Sequence, residues 1–123
     1  MKSDLRVFVV EDEMMVALLA EAVLIDLGHM PAGPALRLDD ALIMARDEEI
    51  DVAMLDVNLG EAKSFPIADL LRGRGIPFFF ATGYGVDGLS AAYRDELVVD
   101  KPYFMADINR ALTTVMARSA PSS

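Results

Sequence analysis

Short, mostly apolar runs recur along this chain at Leu5–Val10, Ile50–Leu55, Ile76–Ala81 and Leu97–Val99, interrupted only by Arg6 and Asp51 near the start of the first two, with longer segments between them. A strand that is apolar at every position, not at alternate ones, is buried on both faces, which is the pattern of a parallel sheet covered by helices on each side. The intervening segments agree. From Met14 to Leu27, Val16, Leu19, Ala20, Val23 and Leu27 follow i, i+3, i+4 spacing, which predicts a core-facing helix ended by Gly28. HMPAGPALRLDD is punctuated by Pro31, Gly33 and Pro34, so any strand there is short.

Asp39 or Asp40 is placed to cap a second helix through about Glu49, with Leu42 and Ala45 inward. Ser64 precedes the early-helix Pro66, and Ile67, Leu70 and Leu71 form a stripe that closes at Gly73 and Gly75. GYGVDGLS is rich in glycine and leads to a short fourth helix around Leu89–Asp95. The last helix runs from about Met105 to Arg118 on Ile108, Leu112, Val115 and Met116. The expectation is a single α/β domain over residues 1–118, with a frayed tail at 119–123. It is a doubly wound five-stranded parallel sheet with five helices on its two faces, the fourth short or irregular.

In such a sheet ligands bind beyond the carboxyl ends of the strands, near the point where strand order reverses, so the residue each strand ends on matters. The first ends on Glu11 and Asp12, the third on Asp56, the fourth on Thr82 and the fifth on Lys101. Each of these alone reads as a cap, a turn residue or a solvated charge; together they put three carboxylates, a hydroxyl and an ammonium on one edge. Crowded carboxylates either take up a proton or recruit a cation. With no cysteine in the chain and its one histidine, His29, at a helix end, the donor set is all oxygen. That set suits Mg²⁺, with Mn²⁺ as a substitute. A hard cation beside a carboxylate, a lysine and a hydroxyl suits a phosphoryl group, whose transfer mainly needs positioning and charge neutralisation. Asp56 is then the nucleophile, with Lys101 and Thr82 on the phosphoryl oxygens.

A net charge of −9 and a pI near 4.4 argue against a binder of nucleic acid backbones. The N-terminus lacks a basic region followed by a long apolar core, and no apolar run approaches the ~20 residues of a membrane span, so cytoplasmic residence is the default. An aspartyl-phosphate phosphatase would need an acid two residues after its nucleophile, where Asn58 stands. A flavin-binding module would need a phosphate loop after the first strand, where EDEMM presents acids. Met14 and Met15, directly after the acids, either cover the site entrance or pack at the helix start. His29 reads as structural.

VVEDE, LDVNLG, FATG and VDKPY, at the ends of the first, third, fourth and fifth strands, together resemble the receiver domains of two-component response regulators over essentially the whole chain. The resemblance implies the flavodoxin-like receiver fold and transfer of a phosphoryl group from a phosphohistidine, on a sensor histidine kinase or a histidine phosphotransfer protein, to Asp56. By position, Glu11 and Asp12 match the acid pair that binds Mg²⁺, and Asn58 the residue whose backbone carbonyl completes the metal shell. Thr82 matches the hydroxyl that moves toward the phosphoryl group and Lys101 the lysine that pairs with it, before a Lys101–Pro102 peptide that is often cis in the family. The implied role is signalling, not enzymatic turnover.

Two features depart from the usual pattern. Val98 stands where such receivers carry an aromatic switch residue, and FATGYG resembles the variants nicknamed FAT GUY, whose fourth helix is shortened or mobile. Tyr84 either substitutes for the aromatic or packs over the loop, and Tyr103 has a packing role. The expectation is a stand-alone receiver whose output is a contact with a downstream protein, or a phosphate sink that competes for the kinase. A degenerate receiver that binds without phosphorylation is the further alternative, against which the retained Asp56, Thr82 and Lys101 argue.

Overall fold

A computed structural model of the chain describes residues 4–83, 93, 96–101 and 104–119. The elements, in order, are β1 (Arg6–Val10), α1 (Met14–Asp26), β2 (Met30–Ala35), α2 (Leu38–Asp47), β3 (Val52–Asp56), β4 (Asn58–Leu59), β5 (Ala62–Lys63), α3 (Phe65–Gly73), β6 (Phe78–Thr82), β7 (Val98–Asp100) and α4 (Met105–Ser119). The main sheet has the order β2-β1-β3-β6-β7, with every neighbouring pair parallel. Its order reverses between β1 and β3, where the flavodoxin-like fold opens its crevice. The doubly wound sheet expected from the apolar runs is the one observed.

The interiors of the central strands are apolar at successive positions because the sheet has a core on each side. Phe8, Val10, Leu55 and Phe80 face α2 and α3, while Val7, Val9, Met54 and Phe79 face α1 and α4. Successive strand side chains point to opposite faces, so two buried faces confine polar residues to the strand ends, as at Arg6, Asp56 and Thr82. The α3 side is closed by Tyr93, whose ring stacks on Phe65 at 5.4 Å between centroids and meets Phe80 edge-on at 5.6 Å.

Several local expectations are corrected. β2 is the longest strand of the sheet despite its prolines, because it lies at the edge and needs ladder bonds on one side alone. Gly33 within it has φ +98°, and a Cβ there would lie 2.9 Å from the Ala35 nitrogen and 3.0 Å from the Val9 oxygen. The N-cap of α2 is Arg37; Asp39 and Asp40 sit inside the first turn, where negative charge still complements the helix dipole. Leu19 is 45% exposed, and the buried side of α1 is Ala17, Ala20, Val23 and Leu24. A segment between β3 and α3 read as loop is a small antiparallel hairpin, β4–β5. Four helices lie among the described residues. The expected fourth helix, apart from Tyr93, lies outside them, as do Tyr84, Pro102, Tyr103 and the tail beyond 119.

Candidate functional site

The parallel register brings the polar strand ends together. Glu11 follows β1, its N–H donating to Ala35 O at 3.1 Å; Asp56 closes β3, and the next N–H, of Val57, reaches Ala81 O at 3.2 Å. Thr82 closes β6, and its carbonyl accepts from Lys101 N–H at 3.1 Å, which fixes the lysine's backbone just past β7. Glu11, Asp56 and Thr82 are buried, Lys101 is 21% exposed at its side chain and Asp12 is exposed.

Lys101 Nζ lies 2.6 Å from Glu11 Oε1 and 3.1 Å from Asp56 Oδ2. Asp56 Oδ1 accepts a 3.4 Å bond from Asn58 N–H, and Asp12 Oδ2 one of 2.9 Å from Gly60 N–H. Glu11, Asp12 and Asp56 each present a carboxylate oxygen, and these lie within 4.8 Å of one another. Thr82 is held at this edge by its backbone bond to Lys101 and by its place at the end of β6, paired with Asp100.

The charges are not balanced. Burial and the neighbouring Glu11 carboxylate push Asp56 up from its ordinary 3.8 to about 8, and Lys101 offsets this in part. Lys101 is closer to Glu11 than to Asp56, so Asp56 is where the cluster holds its proton. Burial opposes the charge on Lys101, but Glu11 and Asp56 outweigh it and raise the ammonium above its ordinary 10.5. Burial likewise works against the Asp12 carboxylate, yet the Gly60 N–H and the side chains of Glu11 and Asp56 hold it below 3.8.

This donor set fits a hard divalent cation: all oxygen, from three residues, with more negative charge than one ammonium offsets. The arrangement also places a buried carboxylate beside a fixed ammonium, which suits an acceptor for an anionic group. His29 is buried at the opposite end of β1, its Nδ1 accepting from Leu5 N–H at 3.1 Å, a structural contact. Met14 and Met15 are 48% and 79% exposed, so neither packs in the core.

The reading from sequence missed Gly60 and Lys63. Gly60, at φ +63°, turns the β4–β5 hairpin and supplies the N–H to Asp12, while the Lys63 ammonium donates to Asn58 Oδ1. The signal available was the Gly60–Glu61 pair between Asn58–Leu59 and Ala62–Lys63, since glycine opening a two-residue turn marks a hairpin.

No protein-family model matches the chain, and no curated protein matches it. Among solved structures, it is similar to the solution structure of SdrG from Sphingomonas melonis Fr1, at 38% identity over 94% of this chain and 99% of that one, with a TM-score of 0.83. The BeF3-activated conformation of SdrG, there assigned to Pseudomonas melonis Fr1, matches at the same identity and coverage with a TM-score of 0.79. The REC domain of the response regulator PhyR from Erythrobacter litoralis has the same fold, at 22% identity over 98% of this chain and 97% of that one, with a TM-score of 0.83.

Proposed function

This chain belongs to the receiver domains of two-component response regulators, and we propose that it accepts a phosphoryl group on Asp56 in a Mg²⁺-dependent reaction. The donor is a phosphohistidine on a sensor histidine kinase or histidine phosphotransfer protein. Glu11, Asp12, Asp56 and the backbone carbonyl of Asn58 would hold the cation. When bound it neutralises charge on the phosphoryl oxygens, and Mn²⁺ suits the same oxygen set.

The observation that carries this reading is a buried strand-end carboxylate, Asp56, 3.1 Å from the Lys101 ammonium and grouped with Glu11 and Asp12. Asp56 attacks phosphorus through a carboxylate oxygen as the bond from phosphorus to the donor imidazole nitrogen breaks, and the imidazole leaves with that electron pair. A carboxyl group that keeps its proton to about pH 8 is a weak nucleophile at neutral pH. Asp56 gives up that proton once its charge is offset, which makes the acceptor competent when the cation site is filled. Lys101 then pairs with a phosphoryl oxygen, and the Thr82 hydroxyl donates to another.

The partner that brings the phosphohistidine docks on α1. Met15, Leu18, Ala22 and Ile25 are exposed along one side of this helix, which begins just after Asp12. An apolar helix face left in water marks a contact surface. The output is a conformational change passed to a downstream protein through Thr82, β7 and the segment between β6 and β7. Because Val98, which pairs with Phe80, replaces the usual aromatic switch, that change does not run through an aromatic at this position.

SdrG adopts a BeF3-activated conformation, and trifluoroberyllate on a carboxylate stands in for an acyl phosphate; the proposal predicts that Asp56 takes the same mimic. Two-dimensional amide NMR with BeF₃⁻ and Mg²⁺ tests the proposal. Wild type is expected to shift at residues around Asp56, Thr82 and Lys101, and Asp56→Asn to stay unchanged. Identical spectra with and without the mimic in wild type would count against the proposal.

A further inference from the structure

The acceptor strand does not lead directly into α3. Between them stands the β4–β5 hairpin, with Asn58 opposite Lys63 and Leu59 opposite Ala62, closed at its base by the Ser64 N–H on Val57 O at 2.9 Å. A ladder this short is marginal by itself. Leu59 anchors it in the core beneath, but one side of the turn faces an open groove of about 680 Å³ toward Leu36 and Leu38. One polar contact ties the hairpin to its surroundings, Gly60 N–H on Asp12 Oδ2 at 2.9 Å, and another braces it internally across the ladder, the Lys63 ammonium on Asn58 Oδ1.

Both contacts end on the metal half of the site. Asp12 is its one exposed carboxylate, and the Gly60 N–H fixes its Oδ2 from the hairpin side. Asn58 is the residue proposed to offer its backbone carbonyl, and it lies in the same ladder, directly across from Lys63. We propose that the β4–β5 hairpin positions the cation ligands and that Lys63, through Asn58, is the positioning residue that holds it. This rests on the reading that Glu11, Asp12 and Asp56 bind a divalent cation. Groups behind the direct ligands set affinity because they fix the ligand geometry before the ion arrives.

Charge and geometry make opposite predictions for Lys63. An exposed ammonium near a divalent ion repels it, so on charge alone Lys63→Met leaves cation affinity equal or tighter. If Lys63 positions the ligands, losing it weakens binding.

The test is Mn²⁺ titration of the full chain, with no phosphodonor present, following the electron paramagnetic resonance signal of the free ion. Lys63→Met is expected to raise the dissociation constant roughly tenfold, with Lys63→Arg restoring most of the affinity and the metal-free thermal midpoint unchanged. The Gly60 amide proton supplies an independent readout: in Lys63→Met it should move upfield and exchange faster, as in Asp12→Ala. A Lys63→Met constant equal to or tighter than wild type, with the Gly60 amide unmoved, overturns this proposal and leaves the cation reading intact. Wild type that leaves the Mn²⁺ signal unchanged overturns both.

Discussion

Raising the pH from 5 to 8 in the presence of a chelator should lower the stability of the protein, and Asp56→Asn should remove that fall. The folded protein keeps the Asp56 proton to about pH 8, whereas the unfolded chain releases it near 3.8. Between those values the native state binds more protons than the unfolded one, so stability declines as the pH rises. A single group with this shift contributes at most about 4 kcal/mol between pH 5 and 8, at about 1.4 kcal/mol per unit. Because Glu11 and Lys101 share the cluster, roughly half of that is the working figure. For a domain of this size 2 kcal/mol corresponds to roughly 8 °C in Tm. The other shifted groups of the site act outside the window. Asp12, held low, contributes stability that is lost only as the pH falls below its usual range, and Lys101, held high, contributes stability lost only above 10.5.

Urea unfolding followed by far-ultraviolet circular dichroism at half-unit pH steps gives the profile. Asp56→Asn should be flat across the window and more stable than wild type at pH 8, and millimolar Mg²⁺ should restore wild type at pH 8. Stability that is constant or rises from pH 5 to 8 in wild type, or an equal fall in Asp56→Asn, would refute the charge account of the site.

Three further outcomes follow from named contacts. Lys101→Met leaves Glu11 and Asp56 without the ammonium between them and should cost about 2 kcal/mol in chelator at pH 7, with Mg²⁺ recovering part, as read by urea unfolding. Tyr93→Phe keeps the ring stacked on Phe65 but removes the hydroxyl that donates to Asp69, and should lower stability by about 1 kcal/mol, whereas Tyr93→Ala should cost roughly 3 kcal/mol or more by thermal unfolding. Leu18→Glu on the exposed side of α1 should slow phosphotransfer from a partner protein by about tenfold, or about 1.4 kcal/mol, while labelling by a small phosphodonor stays at the wild-type rate.

The site was legible from sequence to the extent that topology alone determines it. Glu11, Asp56, Thr82 and Lys101 follow or end apolar strands, and once those strands are parallel their ends must share an edge. Phe78, Phe79 and Phe80 show why the strands were plain: cores on both faces erase the polar alternation that makes half-buried strands ambiguous. Periodicity failed in α1 for the same reason. Its residues are apolar nearly all round, so spacing could not tell that Ala17 and Leu24 face the core while Leu19 faces water. β2 was underestimated because Pro31 and Pro34 weaken a central strand but not an edge strand. The hairpin was missed because Asn58–Lys63 is too short for any period, and its link to Asp12 spans elements far apart in sequence. The elevated Asp56 carboxyl depends on burial and on its distance from Glu11, which no linear pattern carries.

Intact-mass analysis after incubation with a small-molecule phosphodonor tests the central claim most directly. Wild type with Mg²⁺ should gain one phosphoryl group, and that gain should vanish in Asp56→Asn and in wild type with chelator. A wild-type chain that stays unmodified by both the small donor and a cognate kinase, or an Asp56→Asn chain that gains the same mass, would contradict Asp56 as the acceptor.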